Sequence, residues 1–189
     1  MKKKGLALVL ALTLLVISAV AGTLAWLTAK SDTVVNTFTT SGIDVELTET
    51  NEEYKMIPGY SIHKDPKATV LTGSEECYLF VKLVKSANFD DYLEYTMADG
   101  WTQLTKDKDD NDITGLVYYR KVLTAGIGTP YSVLANEQVT VKGTVTKEMM
   151  TTAQTTKPTL TITAYASQLH KNATEKFDAA TAWGNIANK

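Results

Sequence analysis

The sequence predicts an all-β fold, an antiparallel β-sandwich with one or two short helices behind an N-terminal hydrophobic helix. Three observations carry this. After Thr28 the texture changes from a continuous apolar run to short segments in which apolar and polar residues alternate. Turn-forming words such as Pro58-Gly59, Asp65-Pro66, Asp99-Gly100 and the stretch AGIGTP punctuate those segments. No strand–helix–strand rhythm separates them, which excludes a parallel α/β sheet.

The elements follow in chain order. Met-Lys-Lys-Lys is a positive n-region, and Gly5 to Ala25 carries no charged residue, which is the layout of a secretory signal peptide. Thr23 and Ala25 are small residues at −3 and −1 if a signal peptidase cuts before Trp26. The apolar run is also near the length a spanning helix needs, so an uncleaved anchor is the alternative. Either way the bulk of the chain is expected outside the cytoplasm. Residues 1–25 therefore read as a signal peptide, 26–40 as a first strand or extended arm, and 41–189 as one β-sandwich domain.

Within that domain, Ile43, Val45 and Leu47 face one way and Asp44, Glu46 and Thr48 the other. Val139, Val141 and Val145 alternate with Thr140, Lys142 and Thr144. Leu160, Ile162 and Ala164 alternate with Thr161, Thr163 and Tyr165. The runs CYLFVKLVK and GLVYYRKVL are apolar on both faces for much of their length, as central strands covered on each side would be. TVLTG and YLEYTM with WTQL are weaker strand candidates. Two helices are expected: one in TKEMMTTAQ with Thr146 as N-cap, the other from Thr174 to a C-terminal glycine, Gly184.

Without residues 1–25 the chain keeps 164 residues (189 less 25), enough for a real core. The loss of Lys2, Lys3 and Lys4 leaves 16 basic residues (19 less 3) against 21 acidic, a net charge of −5. That balance argues against nucleic-acid binding and against electrostatic docking on anionic lipid. The single cysteine, Cys77, excludes an intramolecular disulfide, and its strand-like setting makes it a buried apolar thiol.

Catalytic patterns are sparse. The two histidines, His63 and His170, rule out a three-histidine zinc site and belong to no H-E-x-x-H motif; both read as solvated turn or loop residues. Asp107, Asp109 and Asn111 match the first ligands of a calcium loop. Asp112 and Tyr118 then stand where such a loop requires glycine and glutamate, so Asp107 to Asp112 reads as a hairpin tip, with weak surface calcium binding the alternative. No G-x-S-x-G, phosphate-binding glycine loop or C-x-x-C occurs. Asn172-Ala173-Thr174 matches the N-glycosylation acceptor, a short signal that means little in a bacterial export context. The reading is a protein without catalytic, cofactor-binding or metal residues.

Several words, in order, resemble the TasA/camelysin family with its SipW-dependent type of signal peptide. Gly22-Thr23-Leu24-Ala25-Trp26, Asn36-Thr37-Phe38 and Gly42-Ile43-Asp44-Val45 occupy the places of its processing region and first strand. Met56 to Leu83 is similar to the proline-glycine and K-D-P segment of clostridial-type relatives, and TLTITAYASQ followed by FDAATAW to their C-terminal end. The resemblance implies an exported jelly-roll sandwich of a Gram-positive-type cell surface or biofilm matrix, released by a SipW-type signal peptidase. It also implies fibres in which the segment after the cut becomes a donor strand for the next subunit. Val34, Val35 and Phe38 are the anchors such a strand would offer. The same residues could equally be the first strand of their own sheet. Camelysin-like members are also classed as metallopeptidases. The chain lacks an evident zinc motif for that activity, which leaves a surface metallopeptidase or a monomeric surface-bound adhesive module as alternatives.

Overall fold

A computed structural model describes residues 42–51 and 53–186. The predicted signal peptide (1–25) and N-terminal arm (26–40) lie outside the described residues. So do Thr23, Ala25, Trp26, Val34, Val35 and Phe38.

The described chain is mostly β, with three antiparallel sheets curled as a half-barrel around a shared core. The strands are β1 (Val45–Thr48), β2 (Ser61–His63), β3 (Lys67–Val70), β4 (Cys77–Lys85), β5 (Leu93–Glu94), β6 (Thr102–Lys106), β7 (Asp112–Val122), β8 (Pro130–Ser132), β9 (Gln138–Val141) and β10 (Leu160–Gln168). The helices are α1 (Phe89–Tyr92), α2 (Lys147–Ala153) and α3 (Ala179–Gly184). One sheet has the order β10-β4-β7-β6, and the others are β1-β3-β8 and β2-β9-β5.

Strand β4 explains the layering. Its even partition sends Cys77, Leu79, Val81 and Leu83 into the inner core with β3 and β9, and Tyr78 and Phe80 to the opposite face. That outer face is covered by α3, whose Trp183 ring centroid lies 5.2 Å from Phe80 and 5.6 Å edge-on from Tyr165. Strand β7 divides likewise, Tyr118 and Val122 inward, Val117 and Tyr119 outward. Both were predicted as doubly covered central strands, and both have strand neighbours on each side. The outer cover ends beyond Phe80, leaving Val84 half exposed. The alternations predicted for Ile43 to Thr48, Val139 to Val145 and Leu160 to Tyr165 also hold, with the first-named face of each turned to the inner core.

Local chemistry places the turns. Pro58 and Gly59 are the central residues of a turn closed by Tyr60 N donating to Ile57 O at 3.1 Å; Gly59 has φ +80, the left-handed value that position of a type II turn requires. The Asp107 to Asp112 stretch is the β6–β7 hairpin tip, in which Asp107 Oδ1 accepts from Asp109 N and Asn111 N, both at 2.9 Å. Those bonds, with the neighbouring amide of Asn111, hold the Asp107 carboxyl below its usual pKa.

Three short helices replace the one or two expected. Helix α1 was not expected, and only its last residue, Tyr92, belongs to the weak strand candidate YLEYTM. It forms because Phe89 and Tyr92, three residues apart, reach the core from one face, and Tyr92 OH donates to Met149 O at 3.0 Å. Helix α2 begins as predicted, with the Thr146 hydroxyl accepting from Met149 N. Helix α3 does not begin at Thr174. Asn172 Oδ1 accepts from Thr174 N and Glu175 N, fixing a side-chain-closed turn there. The helix starts after Asp178, whose Oδ1 accepts from Thr181 N at 2.7 Å. Gly184 is its last helical residue rather than a left-handed cap, and Asn185 caps it in ordinary helical geometry. Strand β9 also ends earlier than its pattern, at Val141, where a turn closed by Val145 N donating to Lys142 O at 3.2 Å leads toward α2.

Trp183→Ala should lower unfolding free energy by about 3–5 kcal/mol in denaturant titration, as loss of a large core aromatic does; the exposed Thr161→Ala should change it by less than about 0.5 kcal/mol. Cys77 is fully buried, and burial pushes its thiol up to about 11. Iodoacetamide at pH 8 should therefore leave the folded chain unmodified and alkylate it stoichiometrically in denaturant.

Candidate functional site

The described domain carries a groove of about 490 Å³, and its walls come from both halves of the sequence. Ile62 of β2 and Val139 of β9 form one side. Phe89 of α1 and Leu93 of β5 extend the floor, and Met150 and Ala153 of α2 close it with Leu160, the first residue of β10. Each is there for a periodic reason: Ile62 is the inward residue of β2, Val139 that of β9, and Leu160 that of β10. Met56 and Met150 add side chains that refill easily around different shapes.

The rim is polar. Lys64 Nζ lies 2.5 Å from Glu49 Oε1, with both side chains mostly buried, and Tyr54 OH donates to the same oxygen at 2.6 Å. The ammonium also stands 5.2 Å from the Tyr54 ring centroid. The Tyr54 hydroxyl also lies against Asn51 O, and Glu53, Tyr54 and Met56, from the segment between β1 and β2, line the groove. Glu53 and Lys157 complete the mouth. Strands β2 and β10, which meet the groove from two sides, are each terminal in their sheets. Each therefore has a backbone edge outside the described ladders.

Two titratable clusters lie elsewhere. His170 Nε2 pairs with Glu76 Oε2 at 2.9 Å, while Glu76 Oε1 accepts from Thr124 N and Oγ1, both at 3.0 Å. The His170 bond first, then those from Thr124, hold Glu76 down to about 2. His63 ends β2 rather than lying in a turn, and it converges with Asp65 and Glu137. Asp65 Oδ2 accepts from Thr50 Oγ1 at 2.6 Å and Oδ1 from Thr50 N at 3.0 Å, which lowers its pKa. Lys67 Nζ at 2.9 Å and the Ser132 hydroxyl at 3.0 Å do the same for Glu137.

The arginine of the chain, Arg120, is stacked between Tyr131 (3.7 Å to the ring centroid) and Trp101 (5.4 Å). Burial draws its pKa below the ordinary value.

Among these places the sequence reading anticipated the hairpin tip and the buried Cys77. It missed the groove and the convergence of His63 with Asp65 and Glu137. The spacing His63-x-Asp65 near a strand end was a visible signal, whereas nothing in the sequence ties Glu137 to it.

No family model, no curated protein and no solved structure matches this chain.

For Glu76 the pH dependence has a definite sign. Its folded pKa lies near 2 and its reference value is 4.5, so its contribution is complete above about pH 4.5 and is lost as pH falls through 2. Glu76→Gln should lower the denaturation midpoint at pH 6–7, and the gap from the parent chain should close by about pH 2.

Proposed function

We propose that this chain is an exported, non-catalytic structural protein that self-associates at the bacterial surface or in the extracellular matrix. Its domain is a jelly-roll-type sandwich of the TasA/camelysin kind, and a SipW-type signal peptidase releases it before Trp26. In the assembly, the arm from Trp26 to Phe38 of one copy lies as a strand against the next copy, with Val34, Val35 and Phe38 seated in the groove beside β2 and β10. The membrane is involved only through the leader before cleavage.

The observation that carries this reading is an apolar groove flanked by two sheet-terminal strands. Such a place offers what an incoming strand needs: strand edges outside the described ladders and an apolar recess for its side chains. The occupant is argued from length as well. Thirteen residues, Trp26 to Phe38, span about 43 Å when extended at about 3.3 Å each, enough to cross a neighbour packed close by, since Phe38 stands four residues before Gly42. Lys30, Ser31 and Asp32 form a polar spacer before the valines.

A groove of this volume also falls in the range of small-ligand sites, which favours a monomeric binding module as the second reading.

Mass spectrometry of secreted protein should give Trp26 or Leu27 as the first residue. Electron microscopy and size-exclusion of that material should show fibres. Deleting Trp26 to Phe38 from the mature form, or replacing Met150 with glutamate, should leave folded monomers that no longer polymerise. Normal polymerisation of the deletion variant would sink the donor-strand mechanism, and a monomeric parent would favour the binding module.

A further inference from the structure

The end of β2, the loop after it and the turn before β9 bring His63, Asp65 and Glu137 together. Each offers one ligand atom, and these atoms all lie within 4.8 Å of one another. His63 Nε2 is 3.9 Å from Asp65 Oδ2. Around a tetrahedral ion bound at about 2.1 Å, ligand atoms stand about 3.4 Å apart. No pair therefore has to close by more than about 1.4 Å.

Backbone bonds hold the loop and the turn around them, and the most exposed of the three side chains is His63. Lys64 N donates to Glu137 O at 2.8 Å, Val133 N donates to Pro66 O at 2.9 Å, and His63 pairs with Gln138 across β2 and β9. Asp65 is anchored by Thr50, and Glu137 by Ser132. The His63 side chain is 61% exposed and can rotate toward the two carboxylates. A cation already sits against this pair of acids, since Lys67 Nζ lies 2.9 Å from Glu137 Oε1.

We propose that His63, Asp65 and Glu137 form a divalent transition-metal site, with water completing the coordination and the Lys67 ammonium displaced into solvent. The donor set of one imidazole and two carboxylates suits Zn²⁺ or a similar first-row ion. Calcium prefers an all-oxygen shell and six or more ligands, so it fits poorly. Two carboxylates balance the charge of the ion, and the exchange of Lys67 for the metal leaves no buried charge unpaired. The bound ion ties the last residue of β2 to the turn that leads into β9. The role is structural, and it stands whether or not the chain forms fibres.

The test is calorimetric titration of the chelator-stripped full chain with ZnCl₂, alongside thermal unfolding with and without the metal. One Zn²⁺ per chain should bind and raise the unfolding midpoint, with EDTA reversing the rise. His63→Ala and Glu137→Gln should each weaken binding by about tenfold or more. Lys67→Ala should retain or strengthen it, because it removes the competing cation. His170→Ala should leave it unchanged. Absence of zinc binding, binding undiminished in both His63→Ala and Glu137→Gln, or calcium bound as tightly as zinc would each overturn the assignment. The metal-free stability of each variant, measured in the same way, separates a lost ligand from a damaged fold.

Discussion

The structure depends on one strand being buried from both sides. From Cys77 to Val81, β4 exposes almost nothing to solvent, which requires both of its backbone edges and both of its faces to be occupied. Strands β10 and β7 take the edges through continuous antiparallel ladders. Strands β3 and β9, with their neighbours, take one face, and α3 takes the other. At about 25 cal/mol per Å² of apolar surface, residues such as Leu79, Phe80 and Val81 each contribute on the order of 1.5–3 kcal/mol. No other five-residue stretch in the described chain concentrates so much of the core. A polar residue there would lose that contribution and leave an unpaired group in the interior.

This constraint also explains which parts of the fold were legible in the sequence. A strand covered on both faces must be apolar at every position, and CYLFV is. Half-covered strands must alternate, and IDVELT, QVTV and LTITAY do. Thr146 was readable as a cap because its hydroxyl and the following acidic residue act locally. Helix α1 was not, because only four residues long it forms by docking Phe89 and Tyr92 on a core built from distant strands. The start of α3 was misplaced because two cap-like residues compete. Asn172 claims the amides of Thr174 and Glu175 for a turn, and Asp178 is left to start the helix. The convergence of His63 with Glu137 depends on β2–β9 register, a long-range fact that spacing along the chain does not carry.

Where the core is open, the openness is placed rather than scattered. Of the large apolar residues most exposed among those described, Ile57 and Tyr60 flank one turn, while Leu71, Val84 and Leu123 come from separate turns and strand ends. Single exposed residues of this kind are ordinary on protein surfaces. The outer face of β10 is lined by Thr161 and Thr163, which pack poorly against another apolar surface and so discourage face-to-face association. The apolar recess between β2 and the start of β10 differs from these because its floor is continuous with the inner core. A strand laid there would extend the core instead of merely covering a patch.

Strand β2 is the element on which these features meet. It is three residues long and among the described residues pairs with β9 alone, so its position rests on few described backbone bonds. Ile62 turns inward to the groove, Lys64 follows at the rim, and His63 turns outward toward Asp65 and Glu137. The period of two in a strand makes that division unavoidable: neighbours along the chain must serve opposite sides of the sheet. A short terminal strand gains stability from any contact that ties it down, whether an ion on its outer side or an apolar segment on its inner side.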